Sequence, residues 1–539
     1  MRLSILYAFK SAISSSVKCA FLTLNRSLLA LSLVGATLLS VSAADQEVIE
    51  LKLPNSNKVV IKLMFRNGSI SDEAGKEGIN TATSELIVQG GTRELSYSEI
   101  QERIYPMAAR YEANTDKEVT VFTFEVHKDF LNDFYPILKG LILTPRFAPE
   151  DFSRVLTNQQ TYVNQVIRAS SDEDYSKVAL EDLLFRDTNY QHMKQGTSDG
   201  VANITLSDVQ THYANLFTRN NLTIGIAGNY SDAFLAQLKQ DMASLPATTP
   251  DLPKPGAARM PNGIEVEIVA KEGAFGSAIF TGFPLPITRA DDDFAALMVA
   301  NSYLGEHRKS YSRLYEKIRE QRSMNYGDYS YIEWYESGGQ NMLPPSGVPR
   351  SSNYFSMWVR PVQIAAQLRQ QYPELADLKV GHAHFALRMI VKELGELVEH
   401  GMTEADFEAT RDFLLSYTKL YAQTPGDRLG YLMDSRFYGR QDYLQELDQL
   451  LRAVTLADVN AAIRKYWQTE NMFVTIITDA SEAEPLAESI RTNRPSPMSY
   501  SDVVREGLPE AIKAEDAVVA EYPLNITSVK IVESSDTLQ

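Results

Sequence analysis

A shift of 250 residues lays part of this chain over itself. Thr205-Leu206-Ser207-Asp208-Val209 falls on Thr455-Leu456-Ala457-Asp458-Val459, and the same shift carries Phe217 onto Trp467, Asn221 onto Asn471, Leu222 onto Met472 and Ile226 onto Ile476 without a gap. In both copies a threonine stands at a helix N-cap position with an aspartate three residues on. Side-chain oxygens so placed take up the amide donors that a first helical turn leaves free. An apolar run follows each, the pattern of a buried strand. Asp151-Phe152 and Asp406-Phe407 match at a shift of 255, so the second copy carries a small insertion. Solenoid units run roughly 20–50 residues. A period this long therefore predicts two homologous domains in tandem.

Between the copies, Pro246 to Asn262 holds Pro246, Pro250, Pro253, Pro255 and Pro261 with little apolar content, as a linker should. Within each copy, alternating and amphipathic segments mix without regular order. Val119 to Val126 predicts a half-buried strand, with Phe122, Phe124 and Val126 on one face and Thr123 and Glu125 on the other. Asp129 to Leu143, Ala383 to His400 and Glu404 to Ala422 predict helices. The expected class is α+β, each domain an antiparallel sheet with helices packed on one face. The expected boundaries are 1–43 for an export signal, 44–246 for the first domain, 247–263 for the linker, 264–482 for the second domain and 483–539 for a polar extension. That extension should lie along the surface and end in a strand near Val529 to Val532.

The first 43 residues carry Arg2, Lys10, Lys18 and Arg26, no acidic residue, an apolar run from Ser27 to Ser42, and Val41-Ser42-Ala43 at a cleavable position. An uncleaved anchor is the competing reading, against which stands a run short for a membrane span. The one cysteine, Cys19, falls inside this segment, so the mature chain would have neither disulfides nor thiolate metal ligands. Export without thiols suits a bacterial periplasm. Cleavage takes the net charge from −17 to −21, which disfavours nucleic acid and anionic membrane surfaces as partners.

Gly78 to Thr92 reads Gly-Ile-Asn-Thr-Ala-Thr-Ser-Glu-Leu-Ile-Val-Gln-Gly-Gly-Thr. It resembles the signature helix of the pitrilysin/insulinase family, the inverzincins, which runs Gly-Leu-x-His-x-x-Glu-His-x-Leu-x-x-Gly-Thr. Leu53-Pro54-Asn55, Phe65-Arg66-Asn67-Gly68-Ser69 and Gly75-Lys76-Glu77-Gly78 extend the resemblance upstream. It places Thr81 and Glu85 where the family has its two histidine ligands, and Ser84 where the general-base glutamate would stand. The family's third ligand is a glutamate on a later helix, here Asp151 to Ile167. No acidic residue occurs between Asp151 and Asp172. A hydroxyl and a carboxylate do not replace two imidazoles on Zn²⁺, so this chain is expected to bind no metal. Taken alone, Thr81, Ser84 and Glu85 make an ordinary polar helix face.

In the second copy, Arg313-Leu314-Tyr315-Glu316-Lys317-Ile318-Arg319-Glu320-Gln321-Arg322-Ser323-Met324-Asn325-Tyr326 resembles the family segment in which a helix ending in Arg-x₆-Tyr faces the zinc-bearing domain. The resemblance implies that Arg319 and Tyr326 hold the substrate backbone and the scissile carbonyl. Outside that context Arg319 would simply pair with Glu316 or Glu320. Tyr303-Leu304-Gly305-Glu306-His307 is a near miss to the inverted motif, expected to begin the helix carrying the Arg-Tyr pair. His382 and His384, two residues apart, would point to opposite sides of a helix. The Gly/Pro/Ser-rich loop 337–352 predicts a floppy hairpin tip or a gate, and Tyr326, Tyr329, Tyr331 and Tyr335 form a dense aromatic strand segment that predicts packing rather than ligand binding.

The resemblance implies the non-zinc subunit of a periplasmic heterodimeric metallopeptidase. Its partner would be a homologous chain carrying His-x-x-Glu-His and zinc, its substrate a peptide, and Arg319 and Tyr326 would act in trans. A non-enzymatic peptide-holding or scaffold protein on the same fold is the alternative. A self-sufficient zinc enzyme with unusual ligands is a third, weaker one.

Overall fold

The structure, a computed structural model, describes residues 46–307, 309–335 and 343–538. The export-signal reading, Cys19 and residues 336–342 of the loop lie outside these. Five strands form the first sheet: β1 (Val48–Lys52), β2 (Lys58–Phe65), β3 (Arg110–Thr115), β4 (Thr120–His127) and β5 (Leu222–Gly228), in the order β1-β5-β2-β4-β3. Six form the second: β6 (Ile264–Lys271), β7 (Ser277–Pro284), β8 (Asp328–Tyr331), β9 (Tyr354–Val362), β10 (Met472–Asp479) and β11 (Ile526–Glu533), in the order β11-β6-β10-β7-β9-β8. Without β11, the second order is the first with each strand replaced by its repeat counterpart. The two threonine caps are also copies. Thr205 and Thr455 each accept from the aspartate amide three residues on at 3.2 Å, and each aspartate accepts from the threonine amide at 2.9 Å.

The α+β class and the paired sheet-and-helix units stand, with two details corrected. The sheets are antiparallel except that β1–β5, β6–β10 and β6–β11 pair in parallel. The cause is topological. β1 and β2 run in opposite directions, and β5 inserts between them, so it must run parallel to one of the two. The second correction concerns the faces. One face of the first sheet buries Val59, Ile61, Phe65, Phe124 and Ile226 under its own helix Leu131–Leu143. The other buries Val60, Met64, Val121 and Ala227 under Leu429 and Met433 of helix Pro425–Phe437, which belongs to the second repeat. The second sheet reciprocates. Its outer face, with Phe280, Trp358, Phe473 and Ile477, lies under Tyr175, Leu180 and Leu184 of helix Asp172–Phe185 from the first repeat. Strands covered on both sides read as continuous apolar runs, which is why Val59 to Phe65 is buried throughout. At Gly225 in β5 a Cβ would meet the Met433 sulphur, so the glycine leaves room for that side chain of the exchanged helix.

Charge locks the exchange. Asp116, Lys117 and Glu118 end the β3–β4 turn, and all three are buried. Arg350 of the second half puts two parallel bonds on Asp116, Nε–Oδ2 at 2.7 Å and Nη2–Oδ1 at 2.8 Å, and its third nitrogen on Glu181. Lys117 pairs with Glu181 at 3.3 Å and donates to the carbonyls of Tyr190 and His192. Glu118 accepts from Tyr190 Oη and from the amide and hydroxyl of Ser351. Burial would push the Asp116 carboxyl up, but the Arg350 guanidinium holds it below the usual range. Residues 343–352 are thus pinned, in place of the expected floppy tip. Gly347 N–H bonds Asp434 Oδ2 at 3.0 Å, and Tyr431 Oη donates to Pro344 O at 2.9 Å.

Residues 247–261 form neither helix nor strand. The polar extension does not merely line the surface. Helix Ala480–Arg491 buries Ala483, Leu486, Ala487 and Ile490, an i, i+3, i+4, i+7 stripe hidden in a polar composition. Val519 and Leu524 join the same core, and the buried Arg388 donates to Ser496, Asn493 and the Ala520 carbonyl.

Replacing Arg350 by alanine leaves Asp116 buried without its bidentate cation and Glu181 with Lys117 alone. Urea unfolding should show a loss of about 3–5 kcal/mol, the cost of breaking a buried pair on one side. A loss under about 1 kcal/mol would mean that water reaches these carboxylates.

Candidate functional site

The motif helix, Ile79–Gln89, starts where it does because of Gly78 and Asp72. Gly78 turns with φ of 103°, a left-handed conformation that favours glycine. The Asp72 carboxylate accepts from the amides of Gly78 at 2.6 Å and Asn80 at 2.9 Å, capping donors that no helical carbonyl can reach. Behind this cap, Asn80 accepts from Asn67 at 2.7 Å and from His212 Nε2 at 2.9 Å, and donates to Thr120 at 2.7 Å. Burial lowers His212 to about 4, so its ring stays neutral. The helix frame is built with care although its ligands are gone.

On that frame the three motif positions serve the fold. The Thr81 hydroxyl donates to the Lys194 carbonyl. Ser84 Oγ donates to the Thr81 carbonyl at 3.0 Å and meets Thr115 Oγ1 at 2.8 Å. Glu85 accepts from Gln89 Nε2 at 2.6 Å. Burial raises the Glu85 carboxyl, while the Gln89 bond and the nearby Lys194 ammonium pull it back. From the later helix, Pro149–Thr161, Gln159 Nε2 donates to the carbonyls of Gly78 and Gln195, each at 2.8 Å. These groups do not fit zinc. Two hydroxyls are committed to oxygen partners, one carboxyl is left, and an ammonium bears on it where a metal's charge would bear. Among the described residues no three histidine, cysteine, aspartate or glutamate side chains are placed to hold a metal ion.

The Arg-Tyr segment lies in the other half and packs against β8 and helix Ala383–His400. From Tyr315 to Glu320 it winds as a π-helix. It ends with Ser323 at φ of 52°, whose amide returns to Arg319 O at 2.9 Å. Tyr326 is 74% exposed, and the Arg319 guanidinium lies over its ring, 5.3 Å from the centroid. Arg319 does not pair with Glu316 or Glu320. Among the described residues no hydrogen bond, ion pair or ring contact joins Arg319 or Tyr326 to Thr81, Ser84 or Glu85. The structure brings Arg319 and Tyr326 together and leaves the motif helix apart from them.

The near miss Tyr303 to His307 ends a helix, Asp293–Gly305, rather than beginning the Arg-Tyr one. Its Glu306 is buried and raised to about 7, accepting from Ser302 Oγ and the His307 amide. His382 and His384 are buried singly, on Ser499 O and Ser489 Oγ, and burial lowers them to about 4 and about 3. Tyr329, Tyr331 and Tyr335 pack in the core between the exchanged helix and the second sheet. Sequence reasoning missed Lys194, Gln159 and Arg350. A signal existed for the last: three charges in a row, Asp116-Lys117-Glu118, entering a strand that must be buried.

Two tandem sheet-and-helix units with a disarmed motif helix in the first define a class, and comparison with known proteins agrees. Residues 47–197 match the model of the insulinase family (peptidase family M16), and residues 203–414 match that of the peptidase M16 inactive domain. The chain belongs to peptidase family M16. A relative from Helicobacter pylori, named a non-peptidase homolog, is 22% identical over 80% of this chain and 94% of its own length. The peptidase M16 inactive domain from Pseudomonas fluorescens superposes with a TM-score of 0.68 at 18% identity, covering 81% of this chain and 96% of that one. The periplasmic protease PqqL from Escherichia coli superposes with a TM-score of 0.60 at 16% identity, covering 87% of this chain and 49% of that one.

Because Glu85 has its carboxyl raised in the folded state, its protonated form is the one that folding favours. That contribution is whole below about pH 4.3, the unfolded value, and is lost as pH rises through the folded one. Glu85→Gln should therefore be more stable than the parent at pH 8, and the gap should close toward pH 4 in denaturant titrations. Added zinc or chelator should leave the melting temperature within about 1 °C, since a ligand that does not bind the native state does not stabilise it. A zinc-induced rise of several degrees would contradict the assignment.

Proposed function

We propose that this chain is the non-zinc subunit of a periplasmic heterodimeric metallopeptidase, supplying Arg319 and Tyr326 in trans to a zinc-bearing M16 partner. The observation that carries the reading is the contrast between the two halves. The metal positions have been absorbed into the fold, whereas Arg319 and Tyr326 remain side by side with the tyrosine in solvent. A guanidinium and a phenol so placed can donate to a peptide backbone and to the oxygen on which negative charge grows during hydrolysis. The half-length match to PqqL supports pairing, because one chain of this size corresponds to half of that protease. Export to the periplasm rests on the basic and apolar leader.

The test is chelator-sensitive cleavage of a flexible peptide by the complex that copurifies with the tagged chain from its native host. Arg319→Ala and Tyr326→Phe should each leave assembly intact and lower turnover roughly tenfold or more, the scale of losing one transition-state donor. Unchanged turnover in both would remove these residues from the site. A complex in which no partner carries a zinc motif, and no cleavage occurs, would favour the peptide-holding reading.

A further inference from the structure

The segment from Arg313 to Asp328 is tied down at three places, and the two residues it presents fall between the ties. Upstream, Arg313 Nε bonds Glu393 at 2.9 Å from a carboxylate that is fully buried. Downstream, Asn325 Nδ2 donates to Asp328 at 2.7 Å and to the Arg360 carbonyl at 3.0 Å. The middle tie comes from another part of the chain. Arg322 is buried, with Nε on Asp516 at 2.7 Å and Nη2 on Glu515 at 2.8 Å, and Nη1 returns to the Lys317 carbonyl at 2.7 Å. Lys317 Nζ takes the other Glu515 oxygen at 2.8 Å, and Tyr500 Oη takes the other Asp516 oxygen at 2.8 Å. Glu515 and Asp516 sit on the C-terminal helix Glu510–Ala520, about a hundred residues past the end of the matched family model.

We propose that the C-terminal helix Glu510–Ala520 is a positioning element for the substrate-holding pair: Glu515 and Asp516, through Arg322 and Lys317, fix the turn from which Arg319 and Tyr326 project. The inference rests on the function proposed for that pair. Arg322 stands three residues after Arg319 and four before Tyr326, and Ser323 between them is held in the left-handed region, where a non-glycine residue is strained. Such a backbone persists only where its surroundings over-determine it. An Arg322 without its carboxylates is a buried, unpaired cation, and its release to water would carry Ser323 and the following residues with it. Lys317 and Arg322 bracket the last turn of the π-helix, so the two acidic residues hold that turn from both ends. Arg319, between them, has no carboxylate partner among the described residues, which leaves its guanidinium available to a peptide.

The test uses the full chain in its native complex with four variants: Arg319→Ala, Glu515→Gln/Asp516→Asn, all three substitutions together, and Lys513→Ala as a control. The control breaks only the surface pair Lys513–Glu510 on the same helix. Hydrogen exchange of amides 315–326 should quicken tenfold or more in Glu515→Gln/Asp516→Asn, with the first sheet unchanged. Turnover should fall at least tenfold with KM within about threefold. Adding the same substitutions to Arg319→Ala should cost clearly less than they cost the parent chain, because only Tyr326 is then left to position. If the double variant does not fold, Asp516→Asn alone, which leaves Glu515 on Arg322, should give the same pattern at about threefold. Unchanged exchange over 315–326, or a full additional loss on top of Arg319→Ala, overturns the proposal. If Arg319→Ala itself leaves turnover unchanged, the proposed function fails and the exchange measurement alone decides the brace.

Discussion

The two halves of this molecule are held in register by one buried guanidinium. Arg350 reaches from the second half into a pocket whose acceptors, Asp116 and Glu181, come from the first. Glu181 lies on the helix that covers the second sheet, so one element brings both the apolar face and the carboxylate. The reciprocal helix does the same. It lays Leu429 and Met433 on the first sheet and carries Asp434 to the Gly347 amide. Positions 181 and 434 are 253 apart, between the two repeat shifts, so they occupy comparable places in the two exchanged helices. The segment 343–352 is clamped by a carboxylate from each exchanged helix. Planar, bidentate pairing makes this a job for arginine rather than lysine. It sets the spacing of two sheets that apolar packing alone would hold less specifically.

Loss of zinc chemistry has not left a hole. A site built for three metal ligands presents donors aimed at a common point, and their replacement leaves polar atoms to be satisfied in a buried place. Thr81, Ser84 and Gln159 meet that demand with carbonyls and a hydroxyl from Lys194, Thr81, Thr115, Gly78 and Gln195. Two of these bonds, from Thr81 to Lys194 and from Gln159 to Gln195, fasten the 192–197 loop against the motif helix and the later helix. Gly196 shows how close that contact is, because a Cβ there would collide with the Glu77 carbonyl. A catalytic site needs open coordination positions. This one has exchanged openness for closure.

Much of the fold was legible because it is written twice. Thr205 and Thr455 announce the same cap, and Ile226 and Ile476 the same central strand, so one copy checks the other. The motif helix and its missing ligands were legible for the same reason that a broken pattern is: the glycines and apolar positions of the frame survive. What escaped depends on pairing across long separations. Arg350 with Asp116, Gln159 with Gly78, and Arg322 with Asp516 join residues with no local signature, and a charged side chain in a single sequence gives no sign of burial. Sheet coverage escaped for a related reason. A strand such as Val59 to Phe65 is apolar on both faces, but nothing in it says that the second cover comes from the other repeat. The tail escaped because helix Ala480–Arg491 hides four apolar positions among Glu482, Glu484 and Glu488.

Arg319 and Tyr326 stand out against their surroundings. The neighbouring cations of the segment are each consumed by a partner of opposite sign: Arg313 by Glu393, Arg322 by Asp516 and Glu515, Lys317 by Glu515. A guanidinium with a tyrosine ring as its described neighbour forgoes the stronger, charge-assisted bonds that carboxylates offered a turn away. The ring covers one side of the guanidinium without neutralising its charge. A fold optimised for stability alone would have closed that pair as it closed the zinc positions. That open pair is the feature the proposed role in trans would use.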